Sequence, residues 1–156
     1  MLREPPMPTP EPQAFLAVTS RFESIELVQA VVDDLLGQLS LADEPRHWIG
    51  LAIREAVANA IKHGNAEDPA KSVEVDVALD GDEVVVRVRD QGSGFEPGDV
   101  ADPLAPENLL RPGGRGIFYM RRLMDDVAYR FGETGGTEVV LRKRIRPTIV
   151  RPEEGQ

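Results

Sequence analysis

The chain has 156 residues, a formal net charge of −9, 41% hydrophobic and 29% charged residues, and no cysteine. That length holds one domain with flexible ends, and the missing thiol excludes a disulfide framework, a thiol nucleophile and a thiolate metal site. The acidic balance argues against direct contact with nucleic acid, and no apolar run reaches the ~20 residues that a membrane span needs.

The N-terminus lacks the charged-then-apolar order of a signal peptide, so the composition predicts a soluble, cytoplasmic protein without a membrane partner. The charge is uneven. Residues 1–100 hold eight Lys and Arg against nineteen Asp and Glu, a net −11, whereas residues 101–156 carry a net +2. An anionic ligand would therefore need local donors, because the overall field does not attract it.

Residues 1–13 contain Pro5, Pro6, Pro8, Pro10 and Pro12 and read as an extended, flexible tail. Ala14–Ser20 is a short apolar run that predicts a first strand. Ser24 is placed to cap a helix in which Ile25, Val28, Val31, Val32, Leu35, Leu36 and Leu39 recur at helical spacing. Pro45 can open a second helix that runs to about His63, with Gly64 as its stop. Val73, Val75, Val77 and Leu79 alternate with polar residues, and so do Val84, Val86 and Val88. The turn Asp80-Gly81-Asp82 between them makes the pair a predicted hairpin.

After Asp90, a glycine- and proline-rich stretch extends to about residue 115, and irregular segments of that length are usually functional. Gly116–Asp125 predicts a short amphipathic helix, followed by strands at Val127–Phe131 and Thr137–Arg144. Residues 147–156 read as a second flexible tail. The order β-α-α-β-β-loop-α-β-β fits one domain over residues 14–146. Its predicted fold class is α+β, a sheet with helices on one face.

Three places could carry chemistry. On the second helix, at 100° per residue, Asn59 lies about 40° from Glu55, Lys62 about −20° and His63 about 80°, which gathers them on one polar face. An ion held by Asn59 would lie beside the Glu55 carboxylate, and a hard cation such as Mg²⁺ takes oxygen ligands of this kind together with phosphates. The same pattern also suits an ordinary solvated helix face. Asp90-Gln91-Gly92-Ser93-Gly94 follows a strand, where a carboxylate can accept from a ligand amine and glycines admit a flat ring. A plain tight turn has this sequence too. Gly113-Gly114-Arg115-Gly116 precedes a helix, where converging amides suit an anion, although a simple flexible loop would read alike. His47 beside Trp48 reads as a surface or packing residue.

Each motif is weak alone, but their order is specific. E-A-V-A-N-A-I-K-H-G (55–64), D-Q-G-S-G-F (90–95), G-G-R-G-I (113–117) and G-T-E-V-V-L (136–141) resemble the nucleotide-binding boxes of the GHKL ATPases. The narrower resemblance is to the bacterial anti-sigma-factor serine/threonine-protein kinases. It implies a two-layer α/β sandwich with a mixed, mostly antiparallel sheet, and ATP and Mg²⁺ as cofactors. It further implies that Asn59 ligates Mg²⁺, Glu55 acts as general base, and Asp90 accepts from the adenine amino group. Gly92 and Gly94 would leave room for the ring, and Thr137 would support the contact. Lys62, His63, Gly114, Arg115 and Gly116 would serve the nucleotide. Such relatives form homodimers, bind a sigma factor and phosphorylate an anti-anti-sigma protein, and Arg21 falls where they use an arginine at the partner surface. Two other readings stay open: an ATP-binding switch without useful catalysis, and the ATP-binding domain of a histidine kinase.

Overall fold

A computed structural model describes residues 12–39, 41–92, 120–133 and 135–145. Strand β1 (Ala14–Thr19) leads into helix α1 (Glu23–Gln38) and helix α2 (Asp43–Asn59), which continues through a wider turn at Ala60–Gly64. Strands β2 (Ser72–Asp80), β3 (Glu83–Arg89), β4 (Asp126–Phe131) and β5 (Thr137–Arg144) complete a five-stranded sheet in the order β1-β2-β3-β5-β4. All four pairings are antiparallel. The predicted α+β sandwich is therefore the fold observed. Of the predicted short helix at 116–125, residues 120–123 are helical. Most of the two predicted tails and the long segment after Gly92 lie outside the described residues. Gln13, at the end of the first predicted tail, donates its N–H to Val77 O at 2.7 Å and is tied to β2 by that bond, just ahead of β1.

The alternation that predicted the strands decides which face meets the helices. Val73, Val75 and Val77 of β2, Val84, Val86 and Val88 of β3, and Val139 and Leu141 of β5 form one core with Ile25, Val28, Val32 and Leu36 of α1. Ile49, Ile53, Ala56 and Val57 of α2 close it, together with Met120 and Met124. Burial of these side chains is the main stabilising term, at roughly 1.5–3 kcal/mol for each large one. The β2–β3 reversal needs only two residues, with Gly81 at φ +62, the conformation that a two-residue hairpin turn asks of glycine.

Two local expectations changed. Ser24 does not cap α1: Phe22 holds the N-cap position, and the Ser24 hydroxyl donates to Thr19 O at 2.7 Å, tying the helix start to the end of β1. Helix α2 begins at Asp43, which places Pro45 within its first turn, where its missing N–H costs nothing.

The other sheet face carries charge. Register sets Asp76 opposite Arg87, Glu74 opposite Arg89, and Arg89 opposite Glu138. Arg87 Nε donates to Asp76 Oδ1 at 2.7 Å, and Arg89 Nη2 donates to Asp76 Oδ2 at 2.9 Å while its Nε meets Glu138. Asp76 is 2% and Arg87 6% exposed, so this pair sits in a medium where an unmatched charge is costly. Arg87→Met should lower unfolding free energy by about 3 kcal/mol, the low end for breaking a buried pair because Arg89 still faces Asp76. Adding Asp76→Leu should restore most of the loss. Urea unfolding of both variants checks this, and a single variant as stable as wild type would contradict it.

Candidate functional site

The buried stripe of α2 turns its opposite flank toward solvent, and Glu55 and Asn59 stand on that flank, each partly exposed. One helical turn separates them, which puts their Cβ atoms roughly 5–6 Å apart. Neither side chain hydrogen-bonds to another described residue, so both keep their oxygens available. Lys62 and His63 are exposed. They lie in the wider turn, where Asn65 N–H reaches back five residues to Ala60 O at 2.8 Å, so the 100° wheel drawn from the sequence does not extend to them.

Asp90 follows the last residue of β3 and is the centre of the arrangement. Its N–H donates to Thr137 O at 3.0 Å, and its Oδ1 accepts from Gly92 N–H at 2.9 Å and Thr137 N–H at 3.1 Å. The carboxylate thus has one oxygen committed to two backbone amides. Its other oxygen lies against Gly64, so closely that a Cβ on Gly64 would overlap it. Burial pushes the Asp90 carboxyl above the usual carboxylate range, opposed by the two amide bonds and by the charge of Lys71. An oxygen of this kind is suited to accept from a ligand amine, a contact that compensates the desolvated charge.

The glycines explain how the elements come so close. A Cβ on Gly92 would stand 2.6 Å from Gly64 O, so Gly92 is small because the end of α2 presses on it. Asn65, fully buried, accepts the Gln91 N–H on Oδ1 at 2.7 Å and donates from Nδ2 to Ser72 O at 3.0 Å. Gln91 returns the link by accepting Ser72 N–H on Oε1 at 2.8 Å. The wide turn ending α2, the start of β2 and the exit of β3 therefore form one corner. Asn65 lies just outside the quoted motifs, and Gln91, although inside D-Q-G-S-G-F, received no role in the sequence reading. Gly64 read only as a helix stop, since nothing in a linear scan brings residue 64 to residue 90.

Of the predicted site residues, Glu55, Asn59, Lys62, His63, Asp90, Gly92 and Thr137 lie on α2, its wide turn or the strand ends that meet it. Arg21 is exposed and follows Ser20, whose N–H donates to Lys71 O at 3.1 Å, so it leaves the sheet at this same end. Gly94, Gly114, Arg115 and Gly116 lie outside the described residues. A hollow of about 290 Å³ touches Asp90 and Thr137. It opens beside Arg89, Arg130 and Glu138 and includes neither Glu55 nor Asn59, so it is not the combined site. Among the described residues, no group of three or more His, Asp or Glu could hold a metal ion by itself. The oxygens of Asn59 and Glu55 fit a hard cation that completes its shell from phosphates.

A family model described as the histidine kinase-like ATPase domain matches residues 18–143. The chain is 26% identical over 145 residues to a protein named serine-protein kinase RsbW from Listeria monocytogenes serotype 4a (strain HCC23), covering 89% of this chain and 91% of that one. It is 30% identical over 134 residues to the anti-sigma F factor of Geobacillus kaustophilus (strain HTA426), covering 83% and 90%. Among solved structures, the RsbU and RsbW domains of Rv1364c from Mycobacterium tuberculosis match with a TM-score of 0.59 at 24% identity, over 87% of this chain and 34% of that one. A chain of the SiaB–SiaC complex from Pseudomonas aeruginosa matches with a TM-score of 0.65 at 14% identity, over 84% and 89%. These two structures bear on the fold alone. Among the described residues no helix is long and apolar enough to cross a membrane.

Two outcomes test this geometry. Because burial holds the Asp90 carboxyl above its ordinary value, its ionised form costs folding stability at neutral pH. Asp90→Asn should therefore melt higher than wild type at pH 7, and the gap should close as pH falls and wild-type Asp90 takes up its proton. A variant melting lower than wild type at pH 7 would contradict the assigned cause. Gly64→Ala should cost about 1–3 kcal/mol, since its methyl meets the Asp90 carboxylate. Gly50→Ala, with nothing within 4 Å, should instead be neutral or gain up to about 1 kcal/mol. Equal effects in chemical unfolding would count against the Gly64–Asp90 contact.

Proposed function

Since the chain belongs to the histidine kinase-like ATPase domain family, we propose that it is an ATP-dependent serine-protein kinase and anti-sigma factor. It binds a sigma factor and phosphorylates the anti-anti-sigma protein that would otherwise release it. The observation that carries the nucleotide reading is Asp90, with Oδ1 held by two amides and the second oxygen turned to the end of the helix that bears Asn59. The names of the curated relatives, a serine-protein kinase and an anti-sigma factor, support the two halves of the activity.

In this reading, Asp90 accepts from the adenine amino group, and Gly92 and Thr137 shape the wall around the base. Asn59 holds Mg²⁺ through its side-chain oxygen, and the ion neutralises phosphate charge when bound. Gly94, with Gly92, leaves room for the ring, while Lys62 and His63, exposed at the end of the same helix, serve the phosphates together with Gly114, Arg115 and Gly116. Glu55 accepts the proton of the substrate serine hydroxyl as that oxygen bonds to the γ-phosphorus. The bond from the γ-phosphorus to the β,γ-bridging oxygen breaks, and ADP leaves. Phosphoryl transfer asks the protein for positioning and charge compensation, which this side-chain set supplies without covalent participation. Arg21 contributes to the partner surface, and the chain acts as a homodimer in the cytoplasm.

The test is transfer of labelled phosphate from ATP to an anti-anti-sigma protein from the same genome. Wild type should form acid-stable phosphoserine. Glu55→Ala should lower the rate by about 100-fold or more, while ATP affinity stays within about threefold of wild type because Glu55 touches the transferring proton and not the base. An unchanged rate would remove Glu55 from the chemistry. No transfer by wild type, with partner affinity that still differs between ATP and ADP, would make the protein a binding switch instead.

A further inference from the structure

The site described above depends on two elements that are remote in sequence: α2, with Glu55 and Asn59, and the exit of β3, with Asp90. Near Asp90 the end of the helix meets the strand exit at Gly64 and its carbonyl, a close approach that limits how near the strand can come but does not fix its direction. Direction requires hydrogen bonds, and one side chain supplies them. We propose that Asn65 is the positioning residue for adenine recognition, setting where the Asp90 carboxylate stands relative to Asn59. The proposal rests on the reading of Asp90 as the adenine acceptor.

Every polar group of Asn65 is used. Its N–H donates to Ala60 O at 2.8 Å, and its carbonyl accepts from Asp68 N–H at 3.0 Å, which fixes the residue to the end of α2. Its Oδ1 accepts the Gln91 N–H at 2.7 Å, the first backbone donor beyond Asp90. Its Nδ2 donates to Ser72 O at 3.0 Å, anchoring the side chain to β2, while Gln91 Oε1 accepts the other backbone group of Ser72. Asp90 is thus gripped on both sides: Thr137 pairs with its own N–H and Oδ1, and Asn65 holds the next peptide. Because Asn65 has no exposed surface, water does not replace these bonds. The job requires an acceptor and a donor on one short planar group, which asparagine alone provides at this size. Aspartate would turn a second acceptor toward Ser72 O, and alanine would leave two backbone groups without a partner.

A residue that merely holds the fold together would lower affinity for every nucleotide alike. A residue that aims Asp90 acts on the base. The discriminating probe is purine riboside 5′-triphosphate, which has the ring and phosphates of ATP but lacks the 6-amino group. Titration calorimetry with Mg²⁺ should show wild type preferring ATP by at least about tenfold, the loss expected for one hydrogen bond to a charged acceptor. In Asn65→Ala and Asn65→Asp, the preference should fall to within about threefold of unity, while affinity for the amino-free analogue changes by less than about threefold. Gln91→Pro deletes the N–H that Asn65 accepts, and with it the Oε1 that accepts from Ser72, and leaves the buried Asn65 in place. It should collapse the preference in the same way, so the test survives if the Asn65 variants do not fold. Gln91→Ala, which loses Oε1 alone, should keep most of the preference. Asn65 variants or a Gln91→Pro variant that lose affinity for both nucleotides in parallel, or keep the full preference, overturn the proposal. A wild type without preference overturns it through its premise, and is recognised because that result involves no Asn65 variant.

Discussion

A carboxylate taken most of the way out of water must be compensated, and at Asp90 the hydrogen bonds from described residues reach one of its two oxygens. Two amides hold Oδ1, from Gly92 and from Thr137. The second oxygen faces the end of α2, and burial keeps the carboxyl above its ordinary range. The remainder of the site follows from satisfying this group. The β5 strand must bring Thr137 alongside, the end of α2 must be a glycine to admit the oxygen, and a buried amide must hold the strand exit at the right angle. A ligand amine that donates to the second oxygen would turn part of the desolvation cost into binding energy.

The layers divide the work. The helical layer buries its apolar stripe on the sheet and leaves Glu55 and Asn59 outward, with no described partner to occupy them. In the proposed function that flank serves phosphates and the metal ion, and the strand end serves the base. The wide turn at Ala60–Gly64 joins the two. Its i→i+5 bond delays the chain by a residue relative to a regular helix, and turns of this kind are frequent at functional sites. On the far side of the sheet, the Asp76–Arg87 pair and Arg89 brace β2 against β3 and β5, the strands that deliver Asp90 and Thr137.

The sequence made some of this legible for physical reasons. Alternation in Val73–Leu79 and Val84–Val88, with Gly81 between, is enough to define a hairpin, and the two-residue turn then dictates the Asp76–Arg87 register. The 100° spacing likewise gathered Glu55 and Asn59 on one polar face of α2. What stayed hidden depends on contacts between distant segments. Gly64 and Asp90 are 26 positions apart, and each has an ordinary local explanation as a helix stop or a turn. Asn65 looks like any polar residue after a helix until Gln91 and Ser72 are seen around it. Ser24 misled because a hydroxyl near a helix start can also bond outside the helix, and here it donates to the end of β1.

The most direct test of the account is a calorimetric titration of Mg-ATP into wild type and Asp90→Ala. The account predicts saturable binding at one site per chain in wild type, and affinity reduced by at least about tenfold in a variant that remains folded. Equal affinity in the two proteins, or no binding to wild type, would contradict the assignment of this corner as the nucleotide site.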